Sequence, residues 1–276
     1  MSVFHTFSVG SVSFGDDSLV VIGGPCVIER RDRTLETAHF LADVCQANGV
    51  GFIFKASYLK ANRTSVHSFT GPGVDEGLEI LSEVSREVGC PILTDVHETD
   101  EVDTVSDVVD VIQIPAFLCR QTSLLVKAGS SGKMVNIKKG QFLSPQNMKH
   151  AIEKVEHGGG SRIAVTERGT FFGYGDLVVD MRSFTTMRCF GYPVFFDATH
   201  STQRPGGLGT ATGGNRKLSG PLSRAAVAYG IDGLYLEVHP CPEKALSDAA
   251  CQLDYESSKR LIVDAVNIHN LLREMH

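Results

Sequence analysis

LVVIGG (19–24), GFIFKAS (51–57), PILTDV (91–96), VVDVIQIP (108–115), MVNIK (134–138), RIAVTER (162–168), PVFFDAT (193–199) and DGLYLEV (232–238) are short apolar or β-branched runs separated by helix-like segments. Strands that alternate with helices pair in parallel, because a parallel neighbour is reached only by a long crossover. Eight such units in 276 residues predict an α/β fold of the (β/α)8 TIM-barrel type. A doubly wound sheet shares the alternation, but the phosphate-cradling GxGxxG after a first strand is absent. With 42% apolar residues and no Pro/Ser-rich linker, residues 1–276 are expected to form a single barrel domain, with a short N-terminal extension before the first strand.

The intervening segments carry their own boundary signals. In SPQNMKHAIEKVEHGGG, Ser144 is expected to cap a helix, Pro145 to take its first position and Gly158 to Gly160 to end it. TDEVDTVSDVV is expected to start another from Thr99. STQRPGGLGTATGGNRKLSG (201–220) is the least regular stretch, and its glycines suggest a mobile lid.

Charge narrows the range of partners. The net charge is -6 and no stretch gathers five like charges, which excludes a nucleic-acid stripe. No run is long enough for a membrane span and the first residues have no signal-peptide pattern, so a cytoplasmic location is expected. Seven scattered cysteines without a CxxC pair argue against a disulfide framework.

In a barrel the reactive face lies at the carboxyl ends of the strands, and parity along each strand sorts inward from outward side chains. On GFIFKAS, Lys55 and Ser57 share one face, opposite Phe52, Phe54 and Ala56. The same parity groups Asn136 with Lys138, Thr166 with Arg168, and Val111 with Gln113. One such cation is ordinarily a solvated or salt-bridged surface group. Converging at three strand ends of an acidic protein, Lys55, Lys138 and Arg168 suit a small, highly charged anion such as a phosphate or a phosphorylated carboxylate.

A second constellation joins distant parts of the chain. Cys26 follows the first strand, His200 the seventh, Glu237 ends the eighth and Asp248 lies in the loop beyond it. The first and eighth strands become neighbours when a barrel closes. Thiolate, imidazole and two carboxylates are a possible ligand set for Zn²⁺, Fe²⁺ or Mn²⁺, the S and N donors favouring the first two. On spacing alone Cys26 reads equally as a small buried hydrophobe, His200 as a hydrogen-bonded core residue and the two acids as ion-pair partners. His239 and Cys241 are further candidate ligands.

FKASYLKANRTSVHSFTGPG, TDVHE (94–98), DVIQIPAFLCRQT (110–122), NIKKGQF (136–142), ERG…FGYGDLVVDM (167–181), FDATHS (196–201) and YLEVHP (235–240) closely resemble the 3-deoxy-D-manno-octulosonate 8-phosphate synthase family, in order, from about residue 20 to 270. KANRTS is the most specific piece, since the related 3-deoxy-arabino-heptulosonate 7-phosphate synthases look like KPRTS there. The resemblance implies a transferase, usually a homotetramer, that condenses phosphoenolpyruvate with D-arabinose 5-phosphate for lipopolysaccharide synthesis. It implies that Lys55, Ser57, Lys60 and Gln113 hold the phosphoenolpyruvate carboxylate, and that Lys138, Arg168 and the backbone around Ala116 hold its phosphate. It further implies that Asn62, Arg63 and Thr64 grip the sugar phosphate, with Phe117 and Arg120 reaching in from a neighbouring subunit.

The family divides into metal-dependent members, with Cys after the first strand, and metal-free members, with Asn. GGPCVIE has Cys26, so the resemblance carries Cys26, His200, Glu237 and Asp248 over as ligands of a divalent metal, Zn, Fe or Mn. Asp95, Asp248 and His200 are the candidates for moving a proton. Ala249, where the family commonly has Gly, and Thr64, where it has Ser, are departures. Two other readings stand beside this one: a heptulosonate phosphate synthase acting on erythrose 4-phosphate, and a non-catalytic phosphosugar-binding barrel.

Overall fold

The structure is a computed structural model that describes residues 4–62, 67–204 and 213–275. Eight parallel strands close into a barrel: β1 (Val20–Gly24), β2 (Gly51–Lys55), β3 (Ile92–Asp95), β4 (Val111–Ile114), β5 (Met134–Lys138), β6 (Ile163–Glu167), β7 (Val194–Asp197) and β8 (Gly233–Glu237). Each pairs with its sequence neighbours, and β8 closes onto β1 with Tyr235 opposite Ile22 and Glu237 opposite Gly24. All eight expected strands are present, within a few residues of the expected bounds.

Helices cover the outer face: α1 (Arg31–Ala47), α2 (Val74–Val88), α3 (Glu101–Ser106), α4 (Thr122–Ser130), α5 (Met148–His157), α6 (Arg182–Arg188), α7 (Ser219–Tyr229) and α8 (Tyr255–Glu274). Their apolar stripes meet the outward rows of the strands. On α2, for example, Leu78, Leu81 and Val84 recur at helical spacing and are buried, and Gly89 ends the helix in the left-handed region at φ 71°. Asp254 caps α8 by accepting from the Ser257 amide at 2.7 Å.

Ser144 takes the N-cap position and Pro145 the first position of a 3₁₀ turn, Pro145–Asn147, that leads into α5, and Gly158 follows the last residue of α5; the Ser144 side chain makes no cap bond, and its carbonyl accepts from the Asn147 amide at 3.1 Å. The helix expected from Thr99 starts at Glu101 instead, with Asp100 ahead of it. Glu101 reaches back to accept from the amides of His97 and Glu98, which fixes the loop that enters α3.

The apolar residues form two layers. One lies between strands and helices; the other fills the barrel, with Val20, Ile22, Ile53, Leu93, Val111 and Met134 among its members. Residues 7–14 form a hairpin, Phe7–Val9 against Val12–Phe14, that stoppers the amino-terminal end of the barrel. Phe14 stacks on Phe7 and packs against Phe195 of β7. The N-terminal extension is therefore part of the core. At the opposite end, the inward rows turn polar.

Candidate active site

The polar ends of the inward rows surround a cavity of about 600 Å³. Among the residues expected from sequence, Lys55, Lys60, Asp95, Gln113, Lys138 and Arg168 line it. So do Asn62, Ala116, Phe117, His200, Glu237 and Asp248. Ser57 lies beneath the wall, where its hydroxyl accepts from Lys60 Nζ at 2.8 Å. Arg120 is exposed and outside the cavity. Arg63 and Thr64 lie outside the described residues, as does 205–212 of the expected lid.

Parity places the cations as the alternation requires. Lys55 closes β2 and donates to the Cys26 carbonyl at 2.8 Å and to Glu237 Oε1 at 3.1 Å. Gly24 makes this approach possible, because a Cβ there would stand 2.0 Å from the Lys55 carbonyl oxygen. Burial disfavours the Lys55 ammonium, yet Glu237 and Asp95 outweigh it and raise its pKa above the ordinary lysine value. Lys138 behaves oppositely. Burial pushes it down to about 8, against the pull of Asp197, whose Oδ2 lies 2.5 Å away. Its Nζ stands 3.3 Å from the centroid of the Tyr235 ring, a cation–π contact in a desolvated setting.

Arg168 donates through Nη2 to Gln203 Oε1 at 2.5 Å, while its Nη1 is buried without a hydrogen-bond partner among the described residues. An unpaired guanidinium nitrogen in a buried wall is costly unless an anion completes it. Below it, Thr166 donates to Asn136 Oδ1 and Asn136 donates to Gln113 Oε1, a chain that fixes the Gln113 amide at the cavity wall. Asp95 is held well below the usual carboxylate range: burial opposes ionisation, but Lys60 and His97 overcome it. Its Oδ2 contacts His97 Nε2 at 3.1 Å, and its Oδ1 is buried and has no partner among the described residues.

The second constellation also assembles. Donor atoms of Cys26, Glu237 and Asp248 all lie within 4.8 Å of one another. Cys26 Sγ is 3.3 Å from Asp248 Oδ2 and 2.9 Å from Ser247 Oγ. His200 borders the group, with Nε2 3.5 Å from Glu237 Oε1 and 4.0 Å from Asp248 Oδ2. Its Nδ1 contacts Asp197 Oδ2 at 2.7 Å, which leaves the Nε2 lone pair toward the acids when the ring is neutral. Asp248 sits at φ 45°, in the left-handed region that few non-glycine residues enter.

These residues fit a soft divalent cation. Glu237 Oε2 is buried and without a partner among the described residues, and burial together with Glu237 pushes the Cys26 thiol well above the ordinary thiol range. Both features are penalties that a bound cation would remove. His239 and Cys241 do not join the group. His239 turns to Glu29 and Arg33, and Cys241 Sγ lies 3.8 Å from Glu243 Oε2.

A model of the DAHP synthetase I family matches residues 5–272. The chain belongs to that family. Within this family it is similar to the 2-dehydro-3-deoxyphosphooctonate aldolase of Syntrophotalea carbinolica, at 51% identity over 97% of each chain. The protein of the same name from Syntrophobacter fumaroxidans is 52% identical over 98% of this chain and 94% of its own, and that of Trichlorobacter lovleyi 55% identical over 87% and 89%.

Several DAHP synthetase I cavity residues escaped the sequence reading. Asp197 and Tyr235 were within reach of parity: they share faces with Phe195 and Glu237 on strands whose inward rows follow the same alternation. Gln203, His97, Ser247 and Gln252 left no such signal, because each is placed by an irregular loop.

Proposed function

We propose that this chain condenses phosphoenolpyruvate with D-arabinose 5-phosphate and water to give 3-deoxy-D-manno-octulosonate 8-phosphate and inorganic phosphate, and that it belongs to the metal-dependent class of such synthases. The supporting observation is the convergence of Lys55, Lys138 and Arg168 on one cavity beside the Cys26, Glu237 and Asp248 cluster, in a chain this similar to proteins named for that product. A synthase of this kind handles a phosphorylated carboxylate and a phosphosugar, and both need cations in a confined space. A non-catalytic binding barrel would have no use for the buried donor cluster.

The residues divide the work. Lys55, Lys60 and Gln113 would hold the phosphoenolpyruvate carboxylate, and Lys138 and Arg168 its phosphate, with Arg168 Nη1, which has no partner among the described residues, as a donor to it. Lys55 and Lys138 are paired with Glu237 and Asp197, so a substrate anion competes for ammonium groups already held in place. Such preorganisation of donors is the main source of transition-state stabilisation in a confined polar site. C3 of the enol attacks the aldehyde carbon, water adds at C2, and phosphate leaves as the C2–O bond breaks. Asp95 Oδ1, at the cavity wall and without a partner among the described residues, is the acceptor we assign to hold the water that adds at C2.

Cys26, His200, Glu237 and Asp248 would hold the metal, with Asp197 fixing the His200 ring. When bound, it would orient the aldehyde or the attacking water as a Lewis acid. Asn62, which lines the cavity, would grip the sugar phosphate. Arg120 lies outside its own chain's cavity, so a substrate role for it requires the neighbouring subunit of a homotetramer.

Phosphate release measured with arabinose 5-phosphate and with erythrose 4-phosphate tests the reading. Preference for the five-carbon sugar is expected. Preference for the four-carbon sugar would assign the chain to the heptulosonate branch, and no turnover with either would leave a binding barrel. Elemental analysis of purified protein, with Cys26→Ser as control, tests the metal: both metal content and activity should fall together.

A further inference from the structure

Glu29 stands outside the cavity, three residues beyond Cys26 in the loop that follows β1. It is a buried carboxylate whose two oxygens are both engaged. Oε1 accepts from the Leu246 amide at 2.7 Å, and Oε2 accepts from Arg33 Nη1 at 2.8 Å. His239 lies against the same group, Nε2 3.4 Å from Glu29 Oε2. His239 Nδ1 accepts from the Cys241 amide at 3.0 Å, and its Nε2 also lies 3.1 Å from Arg33 Nη1, so Glu29, Arg33 and His239 form one connected group.

Leu246 is two residues ahead of Asp248 and is 52% exposed, so its own packing contributes little to holding the loop. Its amide bond to Glu29 does hold it. A second tie runs in parallel: the Cys26 amide donates to Gln252 Oε1, and Gln252 Nε2 donates to the Ser247 carbonyl at 2.7 Å. Both ties connect the segment bearing Cys26 to the segment bearing Asp248, where the backbone is held in its left-handed conformation.

We propose that Glu29 is a positioning residue that fixes the loop between β8 and α8 through the Leu246 amide, and thereby sets the separation of Cys26 and Asp248 and the affinity of their cluster for a divalent cation. This rests on the metal reading of that cluster. Glu29 is neither a member of the cluster nor a lining residue of the cavity, and it meets that lining at the Leu246 amide, so its effect passes through the loop. A glutamine cannot replace it silently. A carboxylate accepts on both oxygens, whereas an amide accepts on one and must point its NH₂ at either Leu246 N–H or the Arg33 guanidinium.

Metal-stripped wild type and Glu29→Gln are titrated with Co²⁺, following the thiolate-to-Co²⁺ absorption band and measuring Kd by competition with a chelator, alongside the thermal midpoint of each metal-free protein. A Kd at least about tenfold weaker in Glu29→Gln, with activity regained at saturating Co²⁺, is expected, as for other partners that orient a metal site from outside it. An unchanged Kd and band overturn the proposal, whether or not the midpoint falls, because a lower midpoint alone would make Glu29 a folding residue. Should Glu29→Gln fail to fold, Glu29→Asp keeps the charge beside Arg33 but withdraws from Leu246 by one methylene; a weaker Kd supports the proposal and an unchanged one overturns it. Wild type without a thiolate band sinks the metal reading itself and the proposal with it, a result distinguishable from loss in the variant alone.

Discussion

The two ends of the barrel are made by the same strands and the same inward rows, yet their contents are opposite. Around the amino-terminal end the rows carry Val20, Ile53, Leu93, Val111 and Phe195, sealed by the hairpin through Phe14. One or two positions further along, the same rows carry Lys55, Asp95, Gln113 and Asp197. Only one layer separates hydrocarbon packing from a group of mutually paired ions. Burying apolar area stabilises the fold at about 25 cal/mol per Å², whereas buried ion pairs roughly break even or cost. Stability is therefore concentrated at the closed end and chemistry at the open one.

The sharpest separation of the two should come from Phe14→Ala. Removing a fully buried aromatic plug is expected to lower the unfolding free energy by about 3 to 5 kcal/mol in denaturant titrations, while kcat/KM measured well below the unfolding transition stays near wild type. Loss of activity without loss of stability would break the comparison. The mirror experiment is Lys138→Met. It should reduce phosphate release by about 10² to 10³-fold, comparable with removing one preorganised donor, and it should also lower the thermal midpoint, because the buried Asp197 carboxylate is left with His200 as its remaining cationic neighbour.

Asp232 qualifies the contrast, because it is an ionisable group at the closed end. Burial pushes it up to about 6, only partly countered by Arg188 and by the Val194 amide that its Oδ2 accepts from at 2.8 Å. The folded state thus binds its proton more tightly than the unfolded chain does. The associated stability is present below about pH 4 and lost as pH rises through about 6, a change on the order of 3 kcal/mol at most. Asp232→Asn should flatten that part of the stability–pH curve, and an unaltered curve would remove Asp232 as its source. The smallest effect is expected from ligand. Phosphoenolpyruvate at about a hundred times its Kd should add about 2.7 kcal/mol by mass action, and Lys138→Met should reduce that increment while Phe14→Ala should not.

The same division explains what the sequence disclosed. Period-two alternation is local and rigid, so Lys55, Ser57, Gln113, Asn136, Lys138, Thr166 and Arg168 could be assigned to inward rows from a few residues of context, and all the strands could be counted. Asp197 and Tyr235 obey the same rule on β7 and β8, where only Glu237 had been picked out. Loops follow no period. The bonds from Gln203 to Asp248, from Gln252 to the Cys26 amide and from Glu29 to the Leu246 amide join segments that only the closed barrel brings side by side. The Ser144 side chain makes no cap bond for a related reason: whether a hydroxyl or a carbonyl closes a turn depends on the path of the chain, which composition does not encode.

The left-handed backbone at Asp248 limits how this corner of the protein can drift. Aspartate, asparagine and glycine tolerate that conformation, while β-branched and bulky residues are strongly penalised there. Of the three, only aspartate brings an anionic oxygen to Cys26 and Glu237. A lineage abandoning the charge would therefore pass most readily through asparagine, which keeps the turn and forfeits the anion, rather than through any residue of similar bulk.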